Sequence, residues 1–251
     1  MLGIADLFYR DPLYAYTLEV VPPWQAQFTR DSFMVKLTRA ITYLGEGYAA
    51  AIIFGISFFV TSRDKAFYIL FVHAVATTVN KNLKIIYRNP RPYMVNSELI
   101  AFGCSTSFGN PSGHSSLSAC LYTSMFLLFF HDHVDHYKEY RRNQSFVRSA
   151  KEPLIGKNAD EETQEVADYK DILSKLKYYG CLLIVIITVI CVGLSRVALG
   201  VHSFNQILYG WSYGVWLAFF LFHFARPPLQ IHIKRMVAQK SPLRPYVNYY
   251  F

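Results

Sequence analysis

The sequence predicts an all-α protein, a polytopic membrane helix bundle of about five transmembrane helices with an N-terminal interfacial arm. Composition is the first indication, since 53% of the 251 residues are hydrophobic and 17% are aromatic. Distribution is the second, because the apolar residues form blocks of nearly spanning length while the charged residues collect between the blocks. Both features are typical of membrane proteins.

The apolar blocks place the predicted spans at about 42–61, 66–87, 115–130, 178–194 and 205–224. A short polar turn at 62–65 joins the first two spans, which predicts a helical hairpin. Glu46 in the first span is either a buried functional acid or an interfacial residue near the helix start.

Three segments lie outside the predicted spans. Residues 1–41 are expected to form the interfacial arm, because the pair Pro22 and Pro23 would break a spanning helix and Trp24 favours the headgroup level. Residues 131–176 form a polar loop inserted into a membrane domain at 42–225, with a helix expected at about 159–177, and residues 226–251 form a basic surface tail. Arm, loop and tail are possible docking surfaces for partners in a membrane complex.

The net charge of +8 agrees with contact to anionic membrane lipids better than with nucleic acid, which we do not expect as a partner. The four cysteines have no spacing that indicates a disulfide framework or a zinc site.

Alternating crossings determine which polar segments share a side of the membrane. With five spans, 88–113 and 195–202 lie on the side of the N-terminus, while the polar loop and the tail lie opposite. The loop side carries 16 lysine and arginine residues against nine on the other. The excess predicts that the loop side is cytoplasmic. Segments 88–113 and 195–202, with any site they form, would then be lumenal in an endomembrane such as the endoplasmic reticulum. A mitochondrial membrane is the alternative.

Three short motifs on the N-terminal side carry groups suited to binding phosphate. The first runs from Lys84 to Arg91 and Pro92, at the end of the second span. The second is Pro-Ser-Gly-His at 111–114, where a helix start offers free N–H groups, a hydroxyl and an imidazole. The third is Ser-Arg at 195–196, followed by His202.

These motifs resemble the signature of the type 2 phosphatidic acid phosphatase superfamily, which reads K-x6-RP, PSGH and SR-x5-H-x3-D. Gln206 occupies the position of the final Asp. The stretch after His202 is most similar to dolichyl diphosphate phosphatases, in which Gln also occurs, and glucose-6-phosphatases likewise carry Gln there.

The resemblance implies a role for each motif residue. His202 would attack phosphorus to give a phosphohistidine, His114 would act as acid and then base, and Arg196 would complete the catalytic set. Gln206 would orient His202. The phosphate-binding residues would be Lys84, Arg91, Ser112, Gly113 and Ser195. The implied scheme uses no metal and no other cofactor.

The first functional hypothesis is an integral membrane phosphatase that acts on a lipid phosphate or diphosphate, with dolichyl diphosphate as the first candidate substrate. A second hypothesis is a weak or inactive relative that serves as a structural or lipid-binding subunit of a membrane complex. A third is a sugar-phosphate phosphatase similar to glucose-6-phosphatase. A survey of substrates separates the three.

Overall fold

A computed structural model describes residues 2–103, 105–131 and 157–240, and every regular element in these ranges is helical. The α-helices are, in chain order, α1 Leu2–Gln25, α2 Phe33–Tyr43, α3 Gly47–Val60, α4 Arg63–Tyr87, α5 Pro92–Val95, α6 Gly113–Phe126, α7 Lys157–Ala198, α8 Phe204–Phe220 and α9 Arg226–Lys240. Short π-helical turns follow α6 at Leu127–His131 and α8 at Leu221–Ala225. The predicted all-α class is confirmed.

The chain divides into two compact units, one formed by 1–124 with 187–251 and the other by 125–186. In the second unit, the rings of Phe126 and Phe130 pack against Tyr178 with centroid separations of 5.0 and 6.1 Å. The helix predicted at about 159–177 and the fourth predicted span form one continuous helix, α7. Residues 132–156 of the predicted loop lie outside the described residues.

Within the described residues, two helical stretches are long and apolar enough to cross a membrane, 175–198 and 204–233. A third span results if α2 and α3, which meet at an angle of 50°, are taken as one broken span. The spans predicted at 66–87 and 115–130 correspond to α4 and to α6 with its π-helical turn, but neither meets both criteria. Polar residues such as Asn80 and Lys84 lower the hydropathy of α4.

The proline pair does not break the helix as the sequence predicted, because α1 continues through Pro22 and Pro23 to Gln25. A proline at position 22 cannot donate to the carbonyl of Leu18 four residues earlier. The side-chain amide of Asn96 donates to that carbonyl instead, at 3.4 Å. Helix α1 also packs against α8, so it belongs to the bundle.

Residues 226–240 of the predicted surface tail are helical. Helix α9 continues from α8 across the π-helical turn and packs on the start of α4, where Gln230 donates to Asp64 at 3.0 Å. Ile233 is buried. Residues 241–251 of the predicted tail lie outside the described residues.

Two glycines let α8 lie directly on α6. A Cβ at Gly210 would lie 3.0 Å from the carbonyl oxygen of Ser112, and one at Gly214 would collide with the carbonyl of Ser116. Small residues spaced four apart allow helix backbones to approach closely, which is a common device in membranes. This packing brings the first turn of α6 close to the first turn of α8.

Two small apolar clusters support the segment between α7 and α8. Buried members of the first are Val21, Leu99, Val197 and Ile207. Buried members of the second are Val35, Phe102, Leu199 and Val201. Their members come from α1, α2, the segment after α5 and both sides of the α7–α8 turn, so residues far apart in sequence hold that turn.

Candidate active site

A tight turn between α7 and α8 carries His202. Gly200 adopts a left-handed conformation with φ of 72°, and a Cβ there would lie 2.6 Å from the carbonyl oxygen of Ile100, so the position requires glycine. Backbone N–H groups of Val201 and His202 both donate to the carbonyl of Arg196, at 3.2 and 3.3 Å. The turn places His202 in the protein interior, with 1% of its surface exposed.

Two neighbours determine which nitrogen of His202 carries the proton. Nε2 lies 3.1 Å from Nη1 of Arg91, and Nδ1 lies 3.0 Å from Oε1 of Gln206. A guanidinium only donates and an amide oxygen only accepts, so Nδ1 bears the hydrogen and Nε2 keeps its lone pair. His202 is therefore a neutral imidazole whose Nε2 carries the lone pair that a nucleophile needs and uses it to accept from Arg91.

Gln206 is itself held in one orientation. Its Nε2 donates to the carbonyl of Pro90 at 2.9 Å, and its Oε1 also accepts from the backbone N–H of Ser203 at 3.4 Å. The second contact forms a capping box at the start of α8, because the hydroxyl of Ser203 accepts from the backbone of Gln206. The amide oxygen thus points at the His202 ring.

Arg91 connects the segment after α4 to the His202 turn. Its guanidinium donates to the carbonyls of Ser107 and Val201 at 2.8 and 3.0 Å, and to the hydroxyls of Ser105 and Ser107, both at 3.0 Å. Only 3% of its surface is exposed. The planar fork holds three chain segments together and stays beside Nε2 of His202.

Lys84 and Arg91 are not on one helix. Helix α4 ends at Tyr87, and Arg88 follows in a left-handed conformation with φ of 50°. Lys84 donates from Nζ to the carbonyl of Phe108 at 2.8 Å. A Cβ at Gly113 would lie 4.0 Å from Cε of Lys84, so the lysine stem reaches the start of α6.

The start of α6 carries Ser112, Gly113 and His114. The backbone N–H of Ser112 donates to the carbonyl of Gln206 at 3.0 Å, which ties this helix start to α8. Nε2 of His114 lies 3.3 Å from Oε1 of Glu46. His114 is only partly buried, with 24% of its side chain exposed.

Arg196 and Ser195 end α7 with different surroundings. Arg196 is 8% exposed, and its Nε has no hydrogen-bond partner among the described residues. The hydroxyl of Ser195 donates to the carbonyl of Val192 at 2.7 Å and lies 2.8 Å from the hydroxyl of Thr42. The proton of Ser195 is thus used inside the bundle, whereas Arg196 retains a free buried donor.

Electrostatic interactions link these side chains into one cluster. The charges of Arg91, Arg196 and Lys84 act on His202, but burial is the larger cause that lowers its pKa well below the usual value. Burial also lowers the pKa of His114 to about 3, and the same three cations act in the same direction. Among the described residues, three cations therefore surround two imidazoles that are neutral in the empty site.

Comparison with protein families gives a match over residues 65–228 to the PAP2 superfamily, and this range includes all three motifs. The chain belongs to the PAP2 superfamily. A search of curated proteins gives no match.

The PAP2 fold is also seen in a solved structure, the first transmembrane PAP2 type phosphatidylglycerolphosphate phosphatase from Bacillus subtilis. It is 20% identical in sequence, has a TM-score of 0.58, and the match covers 97% of this chain and 95% of that protein. The likeness therefore extends over α1, which the family match does not reach. Together with the candidate spans, it identifies the chain as an integral membrane protein of the PAP2 phosphatase fold.

Some residues of this PAP2 site were not predicted from the motifs. Asn80 donates to the hydroxyl of Ser116 at 2.8 Å, and its Oδ1 would lie 3.3 Å from a Cβ at Gly113. Ser105 and Ser107 bind Arg91. The position of Asn80 one helical turn before Lys84 is the sequence signal that could have identified it. The two serines lie in a loop without periodicity, so no pattern indicates them.

Proposed function

We propose that the chain is an integral membrane phosphatase that hydrolyses a lipid phosphate or diphosphate through a phosphohistidine on His202. The observation that carries the proposal is that two buried cations, Arg91 and Arg196, and the half-buried Lys84 act on a neutral imidazole whose Nε2 carries the lone pair. Like charges placed together in a buried cluster need an anion for stability. A phosphoryl group supplies that anion, and its oxygens can accept from the unpartnered Nε of Arg196.

The reaction would proceed in two steps. In the first, Nε2 of His202 forms a bond to phosphorus as the bond to the leaving oxygen breaks, and His114 gives that oxygen a proton. In the second, His114 takes a proton from water, which attacks the phosphohistidine and releases inorganic phosphate. The cations stabilise charge on the equatorial oxygens in both steps.

A lipid substrate suits the position of the site. Lys84, Arg91 and Arg196 lie at the ends of α4 and α7 or between helices, and α7 contains a candidate span. A headgroup on an apolar anchor can reach such a site from the membrane. Dolichyl diphosphate is the first candidate because of the stretch that includes Gln206, and lipid monoesters such as phosphatidylglycerophosphate form the second class.

The test is phosphate release by the purified full chain in detergent micelles. Substrates are dolichyl diphosphate, phosphatidylglycerophosphate, phosphatidic acid and soluble glucose 6-phosphate. We expect release from one or more lipids, and His202→Ala should reduce it by at least about 10³-fold. His232→Ala is the matched control, because His232 is an exposed histidine on α9. Preference for glucose 6-phosphate would favour a sugar-phosphate phosphatase instead.

Trapping the intermediate tests the mechanism separately. A substrate with a good leaving group needs little protonation in the first step, so His114→Ala should still transfer phosphate to His202 but should not release it efficiently. Acid-labile, base-stable radiolabel on the protein is the expected signature.

The alternative function has a different outcome. Hydrolysis of no substrate, with unchanged assembly of His202→Ala into a membrane complex, would support a structural or lipid-binding subunit.

We also propose an endomembrane location with a lumenal site, on the basis of the excess of 16 over nine basic residues on the loop side. Glycosylation acceptors placed in the 96–112 segment and in the 132–156 segment test this orientation. The proposal predicts modification of the first only. Modification of the second only would reverse the orientation.

A further inference from the structure

The break between α2 and α3 brings a carboxylate to the acid and base histidine of the proposed reaction. Helix α2 ends at Tyr43 and α3 begins at Gly47, with Glu46 as the residue that precedes α3. Its carboxylate makes no capping hydrogen bond to that helix. Instead, Oε1 of Glu46 lies 3.3 Å from Nε2 of His114.

The turn that carries Glu46 is fixed against α6. A Cβ at Gly45 would lie 3.0 Å from the carbonyl oxygen of His114 and 2.7 Å from Cγ1 of Val192, so this close approach needs glycine. The hydroxyl of Tyr122 donates to the carbonyl of Leu44 at 2.8 Å. Both contacts join the turn to the helix of His114, which makes the Glu46 contact a built feature of the fold.

Within the part of the chain that the structure describes, Glu46 is the acidic group in contact with this cluster of cations. The titratable and charged groups that act on His114 or contact it are Glu46, Lys84, Arg91 and Arg196. The cations disfavour a protonated ring, whereas a carboxylate in contact with the ring favours one. Glu46 also interacts electrostatically with Arg196.

We propose that Glu46 is a positioning residue that holds His114 through Nε2 and supports its protonated form, so that Nδ1 is the nitrogen that exchanges protons with substrate and water. This inference rests on the proposed phosphatase function. In the first step, Nδ1 releases its proton to the leaving oxygen, and the neutral ring keeps Nε2–H bound to Glu46. In the second step, the lone pair of Nδ1 accepts a proton from water, which restores the imidazolium.

Leaving-group dependence distinguishes this role from a structural one. Glu46→Gln keeps the size of the side chain but removes the charge that stabilises the acid. Single-turnover hydrolysis of phosphatidic acid, whose alcohol leaves poorly, should therefore slow by about tenfold or more. Hydrolysis of a nitrophenyl phosphate, whose leaving group needs little protonation, should slow by less than about threefold in the same first step.

The pH profile gives a second readout. His114 must be protonated to act as the acid, so activity on phosphatidic acid falls as pH rises through its pKa in the complex. Loss of the carboxylate lowers that pKa, and the alkaline limb of the Glu46→Gln profile should move to lower pH. Glu46→Asp keeps the charge at a longer distance and should give an intermediate limb. Glu98→Gln, which changes an exposed carboxylate, should leave the limb in place.

Outcomes separate this inference from the proposed function. An active wild type and an inactive His202→Ala variant support the phosphatase function. In that case, the role of Glu46 is overturned if Glu46→Gln keeps the alkaline limb of the wild-type pH profile and loses the same share of its rate on phosphatidic acid and on the nitrophenyl phosphate. If the wild type hydrolyses no substrate, the proposed function fails and this inference fails with it. If Glu46→Gln does not fold, the limb of Glu46→Asp decides, and no shift overturns the role.

Discussion

Gly109 lies against the side-chain amide of Gln206 with no room for a methyl group. A Cβ at Gly109 would collide with Nε2 of Gln206 and would lie 2.6 Å from its Oε1. The amide cannot move aside without losing its hydrogen bond to Pro90 or its contact with His202. The segment before Pro111 thus locks the orientation of the proposed nucleophile.

Gly109→Ala should therefore lower turnover through its effect on Gln206, and residue 109 need not contact the substrate. The new methyl group displaces the Gln206 amide, so Nδ1 of His202 loses its acceptor, and we expect kcat to fall by about tenfold or more. Gly103→Ala is the matched control, because its Cβ would lie at an ordinary 3.8 Å from Cγ1 of Val201. Equal activity of the two variants in the phosphate-release assay would contradict the proposed locking.

Gln206 can be tested directly with two substitutions. Gln206→Leu leaves Nδ1–H of His202 and the carbonyl of Pro90 without partners, so the ring loses its fixed tautomer, and kcat should fall by about 10²-fold or more. Gln206→Asp keeps an acceptor four residues after His202 and adds a charge that can stabilise a positive ring, so it should retain more activity than the leucine variant. A fully active Gln206→Leu protein would show that Gln206 does not orient His202.

Arg91→Lys tests whether geometry or charge matters at position 91. Lysine keeps the charge but cannot hold the serines at 105 and 107, the carbonyl of Val201 and Nε2 of His202 with one planar group. We expect kcat/KM to fall by about 10²-fold. Arg88→Lys, at an exposed position near the same site, should change kcat/KM by less than about twofold. Similar values for both variants would mean that a charge at 91 is sufficient.

The sequence predicted the helical class and brought three motifs to one side of the membrane, because apolar blocks and motif order are local properties of the chain. It also predicted the contact between His202 and Gln206 from their spacing of four, although His202 precedes α8 and the contact forms across the start of that helix. The order of the motifs predicted that Lys84 and Gly113 lie on the same side of the membrane, but it did not predict that the two residues are close.

Other features depend on contacts that no local pattern encodes. The sequence left Glu46 between a functional and an interfacial role, and its contact with His114 depends on a break in the helix and on Gly45. The continuation of α1 through Pro22 depends on Asn96, which is far away in the chain. Long-range donors of this kind override local propensity, which explains why the helix of the predicted arm was not expected.

Burial of His202 predicts a loss of stability in acid. Its pKa in the folded protein lies well below the usual 6.5, so the unfolded chain binds a proton that the folded protein does not. The free energy of unfolding should therefore fall as pH drops below about 6.5, by up to about 1.4 kcal/mol per pH unit for this residue. Denaturation in mixed micelles from about pH 7 to about pH 5 measures the slope.

The control for this slope is His202→Gln, which cannot titrate. Its free energy of unfolding should depend on pH more weakly than that of the wild type by about one proton. The dependence that remains includes the contribution of His114, whose pKa is lowered in the same direction. Identical slopes for both proteins would show that the pKa of His202 is the same in the folded and the unfolded protein.

Gln25 at the end of α1 is predicted to be essential for stability although it lies outside the family match. Its amide donates to the carbonyls of Ile100 and Ala198 at 3.1 and 3.0 Å, and its oxygen accepts from the N–H of Ile100 at 3.0 Å. The side chain is completely buried. Gln25→Leu leaves these backbone groups without partners and should lower the free energy of unfolding by at least about 2 kcal/mol.

Gln27→Leu provides the comparison, because Gln27 is exposed and its amide donates only to the carbonyl of Pro23 in its own segment, at 3.4 Å. It should change stability by less than about 0.5 kcal/mol. Gln25→Leu should also reduce activity, because Ala198 and Ile100 flank Gly200 and so position the turn of His202. If both leucine variants were equally stable and active, α1 would not support the site, and the predicted role of an interfacial arm would describe it better.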